Sequence, residues 1–335
     1  MHKALFLEGR IQLTLRPDGP IMIKAGETSG ADPTRPDMEF VRTHSTHGTI
    51  YIPGPSLKGV VRAHAERICR TIEQDGRDPD EDNPPLADNP LGDEHTYRGI
   101  ENTRFNSGRY VEKKRDDWKA NTTGSWTATV YRRSAFTAQL FGHTALAGRV
   151  RFADAYGRDV VIEERNGVAI DRVYGSVAVG PFNYETVVAG AFPTTIDFRN
   201  VTLAQLGLLG LVLRDLAAGR VALGFGKSRG LGRVTATFDG MTVRYPTCAL
   251  RDGRLTLLNR TAVTEATNLA GLGAFPVPGN YGLPDNDVAP LPEGLRYVED
   301  DETGIGVKLE VSGEQVVEVF RACMPAWKRQ IGWTA

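Results

Sequence analysis

The chain has 335 residues, 41% of them hydrophobic, with 40 Lys and Arg against 41 Asp and Glu, for a net charge of −1. That is ample for one large core, or for a core domain with sizeable insertions. A near-neutral balance excludes a free-standing, globally basic nucleic-acid binder, so any such role requires charge clustered locally. Arginine dominates the cations, 31 against 9 lysines, and its planar fork suits bidentate phosphate contact. Cys69, Cys248 and Cys323 are too few and too scattered for a disulfide framework or a zinc site, which predicts a reducing cytoplasm. Met1-His2-Lys3-Ala4-Leu5-Phe6 runs straight into Glu8 and Arg10, unlike a signal peptide. No apolar run is long enough to span a membrane.

Leu5, Leu7, Ile11, Leu13 and Leu15 alternate with Glu8, Arg10, Gln12 and Arg16, which predicts a first strand. A long polar loop follows from Gly26 to Gly48, with Asp32, Arg35, Asp37, Arg42, His44 and His47. Loops of that length inside a domain are usually functional or disordered. Next comes Tyr51-Ile52-Pro53-Gly54-Pro55-Ser56-Leu57-Lys58-Gly59, with Ser56 as the expected N-cap of a helix. Leu57, Val61, Ala65 and Ile68 fall on one face of that helix, and Lys58, Arg62 and Arg70 on another. Lys58 opposes the helix dipole from the first turn, a placement that suits a docked anion; the alternative is a solvated lysine.

Residues 72–95 are acidic and Pro-rich and predict a solvated loop. The following segment is basic, from Arg104 to Arg133, with Phe105, Tyr110, Trp118, Trp126 and Tyr131 interleaved. That pattern suits a nucleic-acid single strand, charges on phosphates and rings on bases, or equally an insertion with its own small core. A strand is expected over Gly148–Asp154, a protruding hairpin around residues 165–190, and another strand over Phe192–Phe198. Thr202-Leu203-Ala204-Gln205 is a capping box opening a Leu-rich helix that ends near Gly219.

Then comes Leu223-Gly224-Phe225-Gly226-Lys227-Ser228-Arg229-Gly230-Leu231-Gly232-Arg233. Its glycines allow tight turns and close backbone approach, and its cations and hydroxyl sit beside free N–H groups, as in a phosphate cradle. Gly226-Lys227-Ser228 and Gly226-Lys227-Ser228-Arg229-Gly230 partly match a Walker loop and a hydrolase nucleophile elbow. Both of those need a strand before the loop and a helix after it. Here a helix precedes and Arg233–Phe238 follows as a strand, which argues against an ATPase and a serine hydrolase alike. The core order is βαββαβ, an α+β ferredoxin-like arrangement, without the aromatic pattern of RNA-recognition domains. The remainder, 239–335, holds a Gly- and Pro-rich stretch (271–295) and a second expected capping box at Ser312-Gly313-Glu314-Gln315. It is expected to pack on the core or on a neighbouring subunit.

Three segments in order, Tyr51–Gly59, Ala169-Ile170-Asp171-Arg172 running to Tyr184-Glu185, and Gly224–Gly232, resemble the RAMP superfamily (repeat-associated mysterious proteins), specifically backbone subunits of type III and type IV CRISPR effector complexes. The turn Gln139-Leu140-Phe141-Gly142 fits as well, and the likeness covers about residues 1–238. It implies a ferredoxin-like palm with fingers inserted at about 72–135, a thumb hairpin, and a C-terminal extension. It also implies copies of the chain polymerising along a guide RNA, together with other effector subunits and a complementary target nucleic acid. Carried over, Arg42, Ser56, Lys58, Arg62, Arg172, Tyr184, Gly224, Gly226, Lys227, Ser228 and Arg229 would contact the guide. In type III relatives an aspartate after the first strand cuts target RNA with a divalent metal; Asp37 matches it, Asp32 second, with magnesium or manganese as the implied ion. The cysteine cluster common in type III subunits is missing here and the tail is long. Both features favour a type IV subunit that binds without cutting, with no resident metal or cofactor.

Overall fold

A computed structural model describes residues 3–26, 36–44, 48–73, 84–89, 106–121, 126–300 and 304–333. The expectations for Asp32, Arg35, His47, Arg104, Phe105 and most of the acidic 72–95 stretch lie outside these residues.

The elements in chain order begin with strand β1 (Glu8–Pro17), the short β2 (Tyr51–Ile52) and helix α1 (Gly54–Glu73). Helices α2 (Ser107–Asn121), α3 (Trp126–Arg132) and α4 (Phe136–Phe141) follow. Then come β3 (Val150–Phe152), β4 (Ala155–Tyr156), β5 (Arg158–Ile170), β6 (Val177–Arg199), α5 (Leu203–Ala217) and β7 (Val234–Tyr245). The last part holds β8 (Cys248–Arg251), β9 (Arg254–Leu257), β10 (Ala262–Glu265), β11 (Asn268–Ala270), β12 (Val288–Pro290), β13 (Val298–Glu299), β14 (Val307–Ser312) and α6 (Glu314–Gln330). The class is α+β, with a mainly antiparallel sheet.

The main sheet runs β13-β14-β7-β1-β6-β3, and β1 is central because its alternation buries Ile11, Leu13 and Leu15 completely. It pairs antiparallel with β6 (Leu15 opposite Phe192) and with β7 (Pro17 opposite Val234). Helices α1, α5 and α6 cover one face. The other face is polar, with Arg10, Gln12, Asp197 and Thr242 lining an open depression.

Several boundaries moved. The expected hairpin and the expected strand at Phe192–Phe198 are one element: β6 is continuous over 23 residues, and its first half pairs with β5, with isolated bridges to Ile21 and Met38. Helix α1 starts at Gly54, two residues before Ser56, which is therefore not the cap. The Gly54 N–H instead donates to Asp154 Oδ1 at 2.7 Å. The capping box of α5 is present, Thr202 and Gln205 each accepting from the other's backbone N–H. Of the second only one half is present, Ser312 N–H donating to Gln315 Oε1 at 3.4 Å; α6 is entered through Gly313 at φ +53, and no side chain caps it. The described part of residues 239–335 contributes to the core. Strand β14 extends the sheet along β7, and α6 packs on α5, where Gly207 and Gly210 let Cys323 and Phe320 approach closely.

Candidate functional site

The antiparallel register collects several predicted residues toward one end of the sheet. β1 climbs to Pro17, β7 descends from Val234 opposite it, and Phe152 at the upper end of β3 abuts Gly54 at the start of α1. The glycine loop enters β7 at the Pro17 end, and the β5–β6 hairpin rises from the same end, whereas the start of α1, beside Phe152, lies level with Ile196 and Ile11.

Backbone hydrogen bonds join these parts. Phe225 N–H donates to Met22 O (2.7 Å) and Gly232 N–H to Pro20 O (2.9 Å), fastening the glycine loop to the segment after β1. Ile21 and Val187 exchange bonds of 2.9 Å in both directions, fastening that segment to the hairpin base. Met38 N–H donates to Asn183 O, and Glu185 N–H to Met38 O, placing the 36–40 stretch beside the hairpin.

All four glycines of the loop have positive φ: Gly224 at +76, Gly226 at +71, Gly230 at +81 and Gly232 at +96. This is the region in which an L side chain crowds its own backbone. Between Gly226 and Gly230, residues Lys227–Arg229 form one turn of 3-10 helix with no buried side chain. The order of helix, loop and strand holds, so the loop is not a phosphate-binding P-loop. The Arg229 guanidinium carbon lies 5.6 Å from the Phe182 ring centre on the hairpin and 5.9 Å from that of Phe225, a cation–π sandwich tying loop to hairpin.

The predicted cations divide into two groups. Arg42 is held by Glu185 through two bonds, 2.7 and 3.0 Å, and the Glu185 hydrogen bond pushes its pKa up. Arg62 is likewise bound, to Glu66 at 2.6 Å and the Gly142 carbonyl at 2.9 Å, with Asp88 at 3.7 Å. By contrast Lys58, Arg172, Lys227 and Arg229 form no ion pair among the described residues. Lys58 is half-buried, and burial first, then the Arg62 charge, pushes its pKa down. An alanine methyl at Gly148 would come within 3.3 Å of the Lys58 ammonium nitrogen, so this glycine leaves it room.

Ser56 is exposed on the first turn of α1, Arg172 is exposed at the hairpin tip, and Tyr184 lies half-buried at the hairpin base beside Phe182. Asp37 is exposed and its Oδ2 accepts from Asn183 N–H at 2.9 Å. Tyr110 and Tyr131, two rings of the basic-aromatic segment, are 1% exposed and belong to the core, so they are not stacking platforms. Three contributors escaped the sequence reading: Phe182, which stacks on Arg229; Glu185, which neutralises Arg42; and Asp154, which caps α1. The alternation along β6 was a signal for Phe182. Asp154, 100 residues from Gly54, gave none.

Residues 14–235, more than half of the chain, match the family model described as the RAMP superfamily. No curated protein matches the chain.

Proposed function

We propose that this chain, which belongs to the RAMP superfamily, is a CRISPR RNA-binding backbone subunit whose copies line up along one guide RNA and hold it for target pairing without cutting. One observation carries the reading: Lys58, beside Gly148, and Lys227 and Arg229, on the glycine loop, have no carboxylate to neutralise them among the described residues, and Lys58 is half-buried. A partly desolvated cation without a counter-charge is unfavourable, and a chain of phosphates supplies that charge. The order β7-β1-β6-β3 supports a ferredoxin-like palm, with β5–β6 as thumb and the inserted 72–135 region as fingers. A type IV subunit fits the missing cysteine cluster and the long tail. Within this reading Lys58 and Ser56 meet one phosphate at the start of α1, and Lys227, Ser228 and Arg229 meet another. Arg172 extends the surface along the thumb, and Arg42 and Arg62 stiffen the walls.

The test is Lys58→Ala combined with Lys227→Ala in the full chain. The expected result is loss of co-purifying nucleic acid by absorbance ratio. The slope of log affinity against log salt for single-stranded RNA should flatten by about 1 to 2. Wild-type RNA content with an unchanged salt slope would reject the reading.

A second reading, a metal-dependent endoribonuclease, is favoured by the exposure of Asp37 beside the hairpin base. No group of three His, Cys, Asp or Glu side chains able to hold a metal occurs among the described residues, and Asp32 lies outside them. Cutting of a complementary RNA at fixed spacing with magnesium or manganese, abolished by Asp37→Ala, would establish it.

A further inference from the structure

We infer that the open face of the sheet carries a nucleobase-binding pocket at its β3 edge, built on the Tyr156 ring. A cavity of about 420 Å³ lies there between β1, β6 and the chain running from β3 into β5. Tyr156, Arg158, Pro193, Thr195, Gln12 and Asp239 stand on its walls, and Gln12 also borders the polar depression of the same face.

The local strand geometry turns the ring outward. Ala155 is fully buried, so its neighbour Tyr156 points the other way and is 51% exposed. β2 places Tyr51 directly opposite Tyr156, and the two rings stack with centroids 5.7 Å apart and planes 26° apart. A cross-strand aromatic pair stabilises so short a two-stranded sheet, which accounts for the side of the ring that meets Tyr51. It does not account for a large apolar surface left in water at the wall of a cavity.

The rest of the lining indicates what covers that surface. Pro193 adds apolar contact, while Gln12 brings an amide donor and acceptor and Thr195 a hydroxyl, groups that pair with the edge of a base. The charges disfavour a phosphate as occupant, since the carboxylates of Asp154 and Asp239 stand against the single guanidinium of Arg158. Asp154 accepts from Gly54 N–H and Asp239 from the Thr14 hydroxyl, each at 2.7 Å, whereas Arg158 is exposed and forms no ion pair among the described residues. An uncharged planar ring with hydrogen-bonding edges suits such walls, and every base has a face that stacks on an aromatic side chain. The volume lies within the range of ligand clefts.

The base has two sources, a single RNA strand or a free nucleoside. For a strand, the inference rests on the guide-binding reading: Asp154 ties the pocket wall to Gly54, two residues before Ser56, and Arg158 opens the hairpin. Phosphates held by the cations leave the bases free, and the Tyr156 ring offers one of them a platform. For a free nucleoside the pocket stands without that reading.

The experiment uses the full chain stripped of nucleic acid. Affinity for a short single-stranded RNA is followed by anisotropy across a salt series, and for adenosine by titration calorimetry with ribose as control. Tyr156 is exposed, so Tyr156→Phe and Tyr156→Leu should both keep the wild-type thermal midpoint. Tyr156→Phe should bind like the wild type. Tyr156→Leu should weaken binding about tenfold, with no change in the slope of log affinity against log salt, because no charge is removed. Ring-dependent binding of RNA without adenosine identifies a base within a strand; ring-dependent binding of adenosine identifies a pocket open to free nucleosides. The inference is overturned if neither probe distinguishes Tyr156→Leu from the wild type, or if Tyr156→Phe loses as much as Tyr156→Leu. RNA bound normally in those cases leaves the guide reading standing. If the wild type binds no RNA, that reading fails, and adenosine decides the pocket: binding that needs the ring keeps it, and no binding removes it.

Discussion

Gly224 and Gly230 have nearly the same backbone, φ +76 and +81, but different neighbours. A methyl at Gly224 would strike the Met22 carbonyl, while nothing lies within 4 Å of the same position at Gly230. Gly230→Ala should therefore cost only the conformational penalty, about 1 kcal/mol. Gly224→Ala should cost several times that, since the loop must leave the segment it is bonded to. Chemical denaturation of the two variants tests the difference. Two other residues set opposing responses to pH. Burial, with help from the Arg62 charge, pushes His143 down to about 4. It accepts from Ala145 N–H through Nδ1, which leaves its Nε2–H to donate to Ser134 Oγ at 2.9 Å. Its contribution is complete above the ordinary histidine range and is lost as pH falls from about 6.5 to 4. Burial pushes Asp287 up to about 6, although the Gly273 and Leu203 N–H groups bond to it. Its contribution has the opposite sign, greatest at low pH and lost as pH rises through 6. Each is worth up to about 3 kcal/mol. His143→Gln should lose less stability than the wild type between pH 6 and 4, and Asp287→Asn should lose more, as read from denaturation midpoints at each pH.

Among the elements, α5 shows most clearly what local sequence can and cannot tell. Its start was legible because a capping box is a contact between residues three apart. Its role as the platform for α6 was not, because the contact joins residues more than a hundred positions apart. Gly210 lies against the Phe320 ring, closer than any added side chain permits. Gly210→Ala should push α6 outward and destabilise the protein by about 1–3 kcal/mol, with α6 amides losing hydrogen-exchange protection before those of β1. The hairpin shows the reverse difficulty. Its alternating residues were visible, but its length was not, because a strand that leaves the sheet keeps the same period after it loses its third neighbour. Val173 and Tyr174 at its tip are 81% and 86% exposed, so periodicity there reflects only pairing between β5 and β6.

For the molecule as a whole, the family match ends at residue 235, but the core does not. Val307, Leu309, Val316, Val319 and Cys323 are fully or almost fully buried against β7 and α5. A chain ending at residue 238 should expose the β7 edge and the apolar face of α5 and be recovered as aggregate. A soluble, cooperatively folding product would contradict this. The sequence by itself determined the α+β class, the reversed helix–loop–strand order that rules out a P-loop, and the tight turns of the glycine loop, because each is written in residues a few positions apart. The tertiary structure alone decided which cations are neutralised. Glu185 meets Arg42 across 143 positions, whereas Lys58 meets no carboxylate among the described residues. Charge is legible in a sequence one residue at a time, but compensation depends on distance in space, and only the folded chain sets that distance.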